Sequence, residues 1–228
     1  MLLDADRETS DLHDAALRAS VERAARAVMR AGVSQCVTLV LPEGALVNAF
    51  IEVIAPPPAL IIIGAIHIAV ALTALAKVLG YRVIVIDPRS AFASRARFPL
   101  ADQIIVAHPE VALRDVPITP QTAVAVLGHD ARLDDRALQI ALNSPAFYVG
   151  ALGGQRTRQA RASRLRALGV SEEQLKRLHA PIGLPIRART PDEIALAILA
   201  QIVAARNKWA IPYWLAAWVI ATPLMKPM

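Results

Sequence analysis

From residue 59 onward, short runs of branched apolar residues alternate with segments whose apolar positions recur every three or four residues. Leu60–Ile63, Val83–Ile86, Gln103–Ala107, Ala123–Leu127 and Phe147–Val149 are the strand candidates. These runs are nearly continuous rather than alternating, as expected for strands buried on both faces of a parallel sheet. Between them, Ile68–Leu79 and Leu133–Leu142 carry helical spacing. Two later helices are marked by their start signals. Ser171-Glu172-Glu173-Gln174 and Thr190-Pro191-Asp192-Glu193 both match a capping box, the second with proline at the first helical position. Ile194, Ile198, Ile202 and Ala205 then form a stripe that should close the domain. The pattern over 56–207 predicts an α/β, Rossmann-like fold: a parallel sheet with helices on both faces.

Upstream the pattern changes. Leu17, Val21, Ala24 and Val28 predict a helix over Ser10–Ala31, with Gly32 at the C-cap position. Cys36–Leu41 and Leu46–Ile54, separated by Pro42-Glu43-Gly44, predict a hairpin. Pro56-Pro57-Pro58 removes three N–H donors and marks a boundary, which makes 1–55 a short N-terminal helix and hairpin extension. Residues 208–228 form an apolar tail in which 17 uncharged residues, including Trp209, Trp214 and Trp218, lie between Lys208 and Lys226. Pro212 and Pro223 interrupt a stretch already shorter than the ~20 residues of a spanning helix. The expectation is a terminal helix packed on its own domain or on a second copy, ahead of membrane contact.

Composition adjusts this picture modestly. The chain has 228 residues, of which 55% are hydrophobic but only 4% aromatic, so the core must be aliphatic. The net charge of +6 is concentrated in part at Arg156, Arg158, Arg161, Arg164 and Arg166. This run reads either as a basic face for phosphate, an acidic partner or nucleic acid, or as a solvated helix surface. The scarcity of aromatics to stack bases argues against nucleic acid. Cys36 is the one cysteine, so the chain alone builds neither a disulfide nor a thiolate metal site, which fits a reducing compartment. Met1–Asp14 is acidic and polar without the apolar core of a secretory signal, and a cytoplasmic location is expected.

The candidate chemistry clusters at strand ends. Gly64-Ala65-Ile66-His67 joins the first strand to a helix, where unpaired N–H groups and the helix dipole favour an anion such as a pyrophosphate. His67 reads as a phosphate donor or a helix cap. Asp87 ends the second strand, where a carboxylate would accept ribose hydroxyls. Ile66 stands where the dinucleotide fingerprint has glycine, so its side chain would crowd a phosphate. Gly128-His129-Asp130 follows the fourth strand and reads equally as a ligand contact through His129 or as a capping turn, with Asp134 an alternative helix start. Gly150, Gly153 and Gly154, followed by Arg156 and Arg158, read as a second anion site or as a tight turn before a solvated helix. His179 reads as loop or site, and the histidines lack metal-ligand spacing. No nucleophile–base arrangement, nucleophile elbow or P-loop occurs. The enzyme reading reduces to an NAD(P)-dependent oxidoreductase. A further reading is a binding or scaffold protein with a decayed nucleotide site.

Many short segments in one order resemble the C-terminal domain of the XdhC/CoxI family, the accessory factors of xanthine dehydrogenase and carbon monoxide dehydrogenase. They are Pro56-Pro57-Pro58, Leu60–His67, Gly80-Tyr81-Arg82-Val83, Ile86-Asp87-Pro88-Arg89, Arg97-Phe98-Pro99-Leu100-Ala101-Asp102 and Gly128-His129-Asp130. The order continues through Tyr148-Val149-Gly150-Ala151-Leu152-Gly153-Gly154, His179-Ala180-Pro181-Ile182-Gly183-Leu184 and Thr190-Pro191-Asp192-Glu193-Ile194-Ala195. The resemblance implies a Rossmann-like, non-catalytic helper that binds the molybdenum cofactor as cargo, supports its sulfuration and delivers it to a molybdenum hydroxylase apoenzyme. A cysteine desulfurase and a second copy of the chain are further expected partners, and NAD(P), suggested by the glycine turn and Asp87, is a second candidate ligand. The residues carried toward the cofactor are Gly64, Ala65, Ile66, His67, Asp87, Arg89, His129, Asp130, Gly150, Gly153, Gly154 and Arg156. The chain departs from the family pattern at Ile66, at Gly183-Leu184-Pro185-Ile186-Arg187, where the family usually has Gly-Leu-Asp-Ile-Gly, and at Gln201, where it tends to have glutamate. Each departure is expected near the ligand-facing edge. Nothing matches the family's N-terminal domain with its Gly-Gly-Cys-type motif, which leads to the expectation of a domain-only paralogue with a narrower task.

Overall fold

The computed structural model describes residues 2–3, 8–31, 34–42, 44–54 and 56–207, so the expectation for the 208–228 tail lies outside the described residues. The chain forms two compact units, the first ending at Pro56 and the second beginning at Pro57.

In the first unit, β1 (Leu2–Leu3) pairs antiparallel with β2 (Glu8–Thr9). Helix α1 (Ala15–Ala31) begins five residues later than its apolar pattern suggests. The reason is a cap: Asp14 Oδ1 accepts the amides of Ala16 and Leu17 at 2.8 and 3.0 Å. Strands β3 (Gln35–Val40) and β4 (Leu46–Ile51) form the expected hairpin, with Gly44 at φ 84° in its turn. Ala25, Val28 and Ile51 make a small core.

The second unit runs β5 (Ala59–Ile63), α2 (His67–Val78), β6 (Arg82–Ile86), β7 (Gln103–Ile105), α3 (Pro109–Asp115), β8 (Thr122–Val126) and α4 (Ala131–Asn143). It continues with β9 (Tyr148–Ala151), α5 (Gln155–Ala167), α6 (Glu172–Lys176), β10 (Leu178–His179) and α7 (Pro191–Arg206). Its six strands lie in the order β10-β9-β8-β5-β6-β7, every neighbouring pair parallel. This is the doubly wound Rossmann order, in which the chain lays β6 and β7 outward on one side of β5 and then β8, β9 and β10 outward on the other. Strand β10 was not legible, because two residues carry no periodicity.

Both faces of the sheet are covered. Leu60, Ile62, Val83, Val85, Ala123 and Ala125 pack with α2 and α7, while Ile61, Ile63, Ile84, Ile86, Val124 and Val126 pack with α3 and α4. Successive side chains thus enter opposite cores, which is why the strands read as unbroken apolar runs. Both capping boxes form, at Ser171 with Gln174 and at Thr190 with Glu193. The arginine run is a largely solvated helix surface rather than a free basic face, with Arg158, Arg164 and Arg166 exposed. Arg164 pairs with Asp135, Arg166 pairs with Glu172, and Arg161 is only 7% exposed. Among the described residues, no helix is long and apolar enough to cross a membrane.

At the sheet centre β5 and β8 part, one toward α2 and the other toward α4. Gly64 lies there at φ 101°, and a Cβ on it would come within 2.9 Å of the Gly128 amide nitrogen. Both the backbone conformation and the space demand glycine. Gly64→Ala should therefore lower stability by about 2–4 kcal/mol, read from urea unfolding. A loss below about 0.5 kcal/mol would show that the two strand ends can spread without cost.

Candidate functional site

The glycine turn opens α2 as expected, but its polar groups are largely committed within the protein. The Gly64 amide donates to Ile86 O at 2.9 Å, and the Ala65 amide donates to Asp87 Oδ2 at 2.8 Å. Ile66 takes the N-cap position in extended conformation with no side-chain cap, and the exposed His67 is the first helical residue, not a cap. From the loop after β6, Arg97 Nη1 donates to Ala65 O at 2.8 Å.

Asp87 directly follows β6 and is 1% exposed. Its Oδ2 also accepts Arg89 Nη2 at 2.8 Å, and its Oδ1 accepts the Arg89 amide and Nε, both at 2.9 Å. Burial by itself would push this carboxyl up. The hydrogen bonds from the Arg89 side chain and from the Ala65 and Arg89 amides outweigh that, and hold it below the usual carboxylate range. Four donors fill a carboxylate's acceptor sites, so ribose hydroxyls would have to displace a partner. The Arg89 guanidinium meanwhile lies over the Phe92 ring, 4.1 Å from its centroid.

The open space lies beside this closed turn. A cleft of about 360 Å³ at the carboxyl ends of β5, β6 and β8 is lined by Gly64, Asp87, Arg89, Gly128, His129 and Asp134, among others. This is the topological switch point, where doubly wound sheets bind ligands. Asp130 caps α4 by accepting the Arg132 amide at 3.0 Å, so helix start and strand end share one turn. His129 beside it is exposed and lines the cleft.

Asp134 faces this space from the first turn of α4. It is 3% exposed, and among the described residues its carboxylate accepts no hydrogen bond. A Cβ at residue 128 would collide with Asp134 Oδ1, so Gly128 makes room for the acid. Burial pushes the Asp134 carboxyl up to about 6; the Arg161 charge opposes that shift and the Asp135 charge adds to it. A second cleft of about 420 Å³ adjoins the first, sharing Gly128, His129 and Asp134 and adding Gly153, Thr157 and Arg161. Arg161 Nη2 donates to Leu152 O at 2.9 Å, while its buried Nε has no partner among the described residues.

The remaining candidates separate. Gly150 lies within β9, where a Cβ would come 2.6 Å from Ile182 Cγ1 and 2.7 Å from Tyr148 Oη, so its small size serves packing. Gly153, at φ 149°, lines the second cleft, and Gly154 is the N-cap of α5. The side chain of Arg156 lies outside the described residues. His179 stacks on Tyr148 with ring centroids 4.6 Å apart, and burial lowers its pKa. Gln201 does not face the ligand edge: it is buried in α7, its Oε1 accepting Tyr148 Oη at 2.6 Å and the Gly183 amide at 2.8 Å. Arg187, where the family has glycine, holds φ 59° in the loop before α7. Among the described residues, no cluster of histidine, cysteine, aspartate or glutamate could hold a metal.

Sequence reading passed over Asp134 and Arg161 as site residues, though a signal was present. The stripe Ala137, Leu138, Ala141 and Leu142 on α4 extends back to 134, and the buried Leu165 on α5 extends back to 161. A charge at an apolar-stripe position is the mark that could have found both.

The family described as the XdhC Rossmann domain matches residues 60–202, more than half of the chain. The chain is 34% identical over 164 residues to a probable xanthine dehydrogenase subunit of Bacillus subtilis (strain 168), covering 72% of this chain and 48% of that one. It is 38% identical over 89 residues to the molybdenum cofactor insertion chaperone PaoD of Escherichia coli (strain K12), covering 39% of this chain and 28% of that one. A solved structure described as a xanthine dehydrogenase from Bacillus halodurans aligns with TM-score 0.59 and 27% identity, covering 89% of this chain and 69% of that chain. The chain thus spans about half the length, or less, of the curated relatives it matches.

A raised Asp134 pKa means that the native state holds this proton more tightly than the unfolded chain. The corresponding stability is complete below the unfolded value near 3.8 and is lost as pH rises through about 6. Asp134→Asn should accordingly change stability little at about pH 4 and raise it by up to about 3 kcal/mol at about pH 8, measured by urea unfolding. Identical differences at both pH values would show that the carboxylate is solvated in the native state.

Proposed function

We propose that this chain, which belongs to the XdhC family, is an accessory factor that holds the molybdenum cofactor at the switch-point cleft and passes it to a molybdenum hydroxylase apoenzyme. The observation that carries this reading is the cleft itself. It opens at the carboxyl edge of the family's domain, lined by Gly128, His129 and Asp134, and the adjoining cleft that shares these residues adds Gly153 and Arg161. The names of the relatives, a cofactor insertion chaperone among them, point the same way. Sulfuration of the cargo, with a cysteine desulfurase as sulfur donor, is the finer step to which this reading extends.

The role is one of binding and release. The site offers a buried acid, an imidazole and guanidinium groups, which hold a polar heterocycle and an anionic arm without forming a covalent intermediate. Arg89 and His129, at the rim, are the groups we assign to the cofactor's phosphate. An NAD(P) reading is disfavoured by the Asp87 carboxylate, which is filled by Arg89 and Ala65, and by Ile66 at the turn.

Molybdopterin extracted from a molybdenum enzyme should be retained by the purified full chain on gel filtration. The loaded chain should reconstitute an apo molybdenum hydroxylase about fivefold faster than free cofactor does. No retention at millimolar chain concentration, or no acceleration, would overturn the proposal. Ile66→Gly separates the two seats: a cargo in the cleft should keep its affinity within about twofold, whereas a ligand lying on the turn should bind at least about threefold tighter.

A further inference from the structure

The second cleft holds two buried, incompletely satisfied groups of opposite polarity. Asp134 is 3% exposed with no hydrogen-bond partner among the described residues, and Arg161 is 7% exposed with only its Nη2 bonded. Both line the space bounded by Gly128, Gly153 and Thr157. Buried polar groups are nearly always paired, and an unpaired one costs its full desolvation penalty. Together they present an acceptor pair at the carboxylate and a donor at the guanidinium to one cleft. The Arg161 and His129 charges favour the Asp134 carboxylate across the cleft, but among the described residues no hydrogen bond or ion pair joins them to it, and the other neighbouring charges are engaged elsewhere. Arg164 is committed to Asp135, and Asp130 is committed to α4 and Arg132.

We propose, building on the carrier reading above, that this cleft is the subsite for the amino-oxo pyrimidine edge of the pterin. The Asp134 carboxylate accepts the ring N–H and the exocyclic amino group, and Arg161 Nη1 donates to the ring oxygen. An edge with two adjacent donors followed by an acceptor meets both carboxylate oxygens and one guanidinium N–H at once. Gly128 is required there because a Cβ would take the space that Asp134 occupies. Guanine presents the same edge, so the shared chemistry is the amino-oxo pyrimidine, and the experiment must separate the two sources.

The test uses the full chain and three small ligands followed by fluorescence or calorimetric titration: hydroxymethylpterin, lumazine, in which a second oxo group replaces the amino group, and guanosine monophosphate. The wild-type chain should bind the pterin about tenfold or more tightly than lumazine. Asp134→Asn should weaken pterin binding about tenfold and level the two, with no loss of thermal stability. Arg161→Lys, which keeps the charge but loses the fork, should weaken both ligands. A wild-type chain that binds no pterin at millimolar concentration, or whose preference survives Asp134→Asn, overturns the subsite, as does preference for guanosine monophosphate. Equal retention of molybdopterin by wild type and Asp134→Asn overturns the subsite and leaves the carrier reading standing. Failure of the wild type to retain molybdopterin overturns the carrier reading alone, because the pterin–lumazine comparison judges the subsite separately.

Discussion

Two central strands must diverge within van der Waals distance of one another, and the rest of the site follows from that constraint. Strand β5 turns into α2 on one face of the sheet while β8 turns into α4 on the other. At the point of parting a Cβ on Gly64 would press on the Gly128 backbone. Because the strands separate there, a concavity must open at their carboxyl ends, and whatever α2, α4 and α5 present in their first turns becomes its lining. The two buried faces of the sheet hold this geometry. The aliphatic residues of β5, β6 and β8 are almost wholly removed from water, so the strand ends cannot drift without exposing a core.

The protein distributes charge around this opening unequally. On the α2 side, Asp87 is filled by Arg89 and by the turn's own amide, which neutralises the carboxylate and consumes a donor that a pyrophosphate would use. On the α4 and α5 side, Asp134 and Arg161 remain buried with bonding capacity to spare. An unsatisfied buried charge lowers stability, and it persists where a function depends on it. The frame resembles a dinucleotide site, yet its unspent polar groups lie one strand over. That asymmetry is what the proposed carrier role rests on: among the described residues, the polar groups with bonding capacity to spare face the clefts beside α4 and α5.

Much of the fold was legible because parallel strands buried on both faces have a distinctive signature. The unbroken runs at 60–63, 83–86 and 123–127 admit few other readings, and the boxes at Ser171 and Thr190 announce helices through local hydrogen bonding. What escaped had a physical cause each time. Strand β10 has two residues and owes its existence to pairing with β9. Helix α1 begins at Ala15 because Asp14 caps it, a detail that periodicity does not encode. Gln201 appeared to be a ligand-edge departure, but α7 turns it inward to tie Tyr148 to the loop at Gly183.

By itself, then, the sequence determined the fold class, most of the strand–helix alternation and the family, because apolar periodicity, caps and glycine turns are local properties written into neighbouring residues. It also placed Gly64, Asp87 and Gly128 at strand ends. Only the tertiary structure decided what those ends could bind. Whether Asp87 is free or filled depends on Ala65 and Arg89 folding back onto it. Whether the arginine run is a basic face depends on Asp135 and Glu172 meeting it from other elements. The conjunction of Asp134 on α4 with Arg161 on α5, well apart along the chain, exists only because adjacent parallel strands bring two helix starts to one edge.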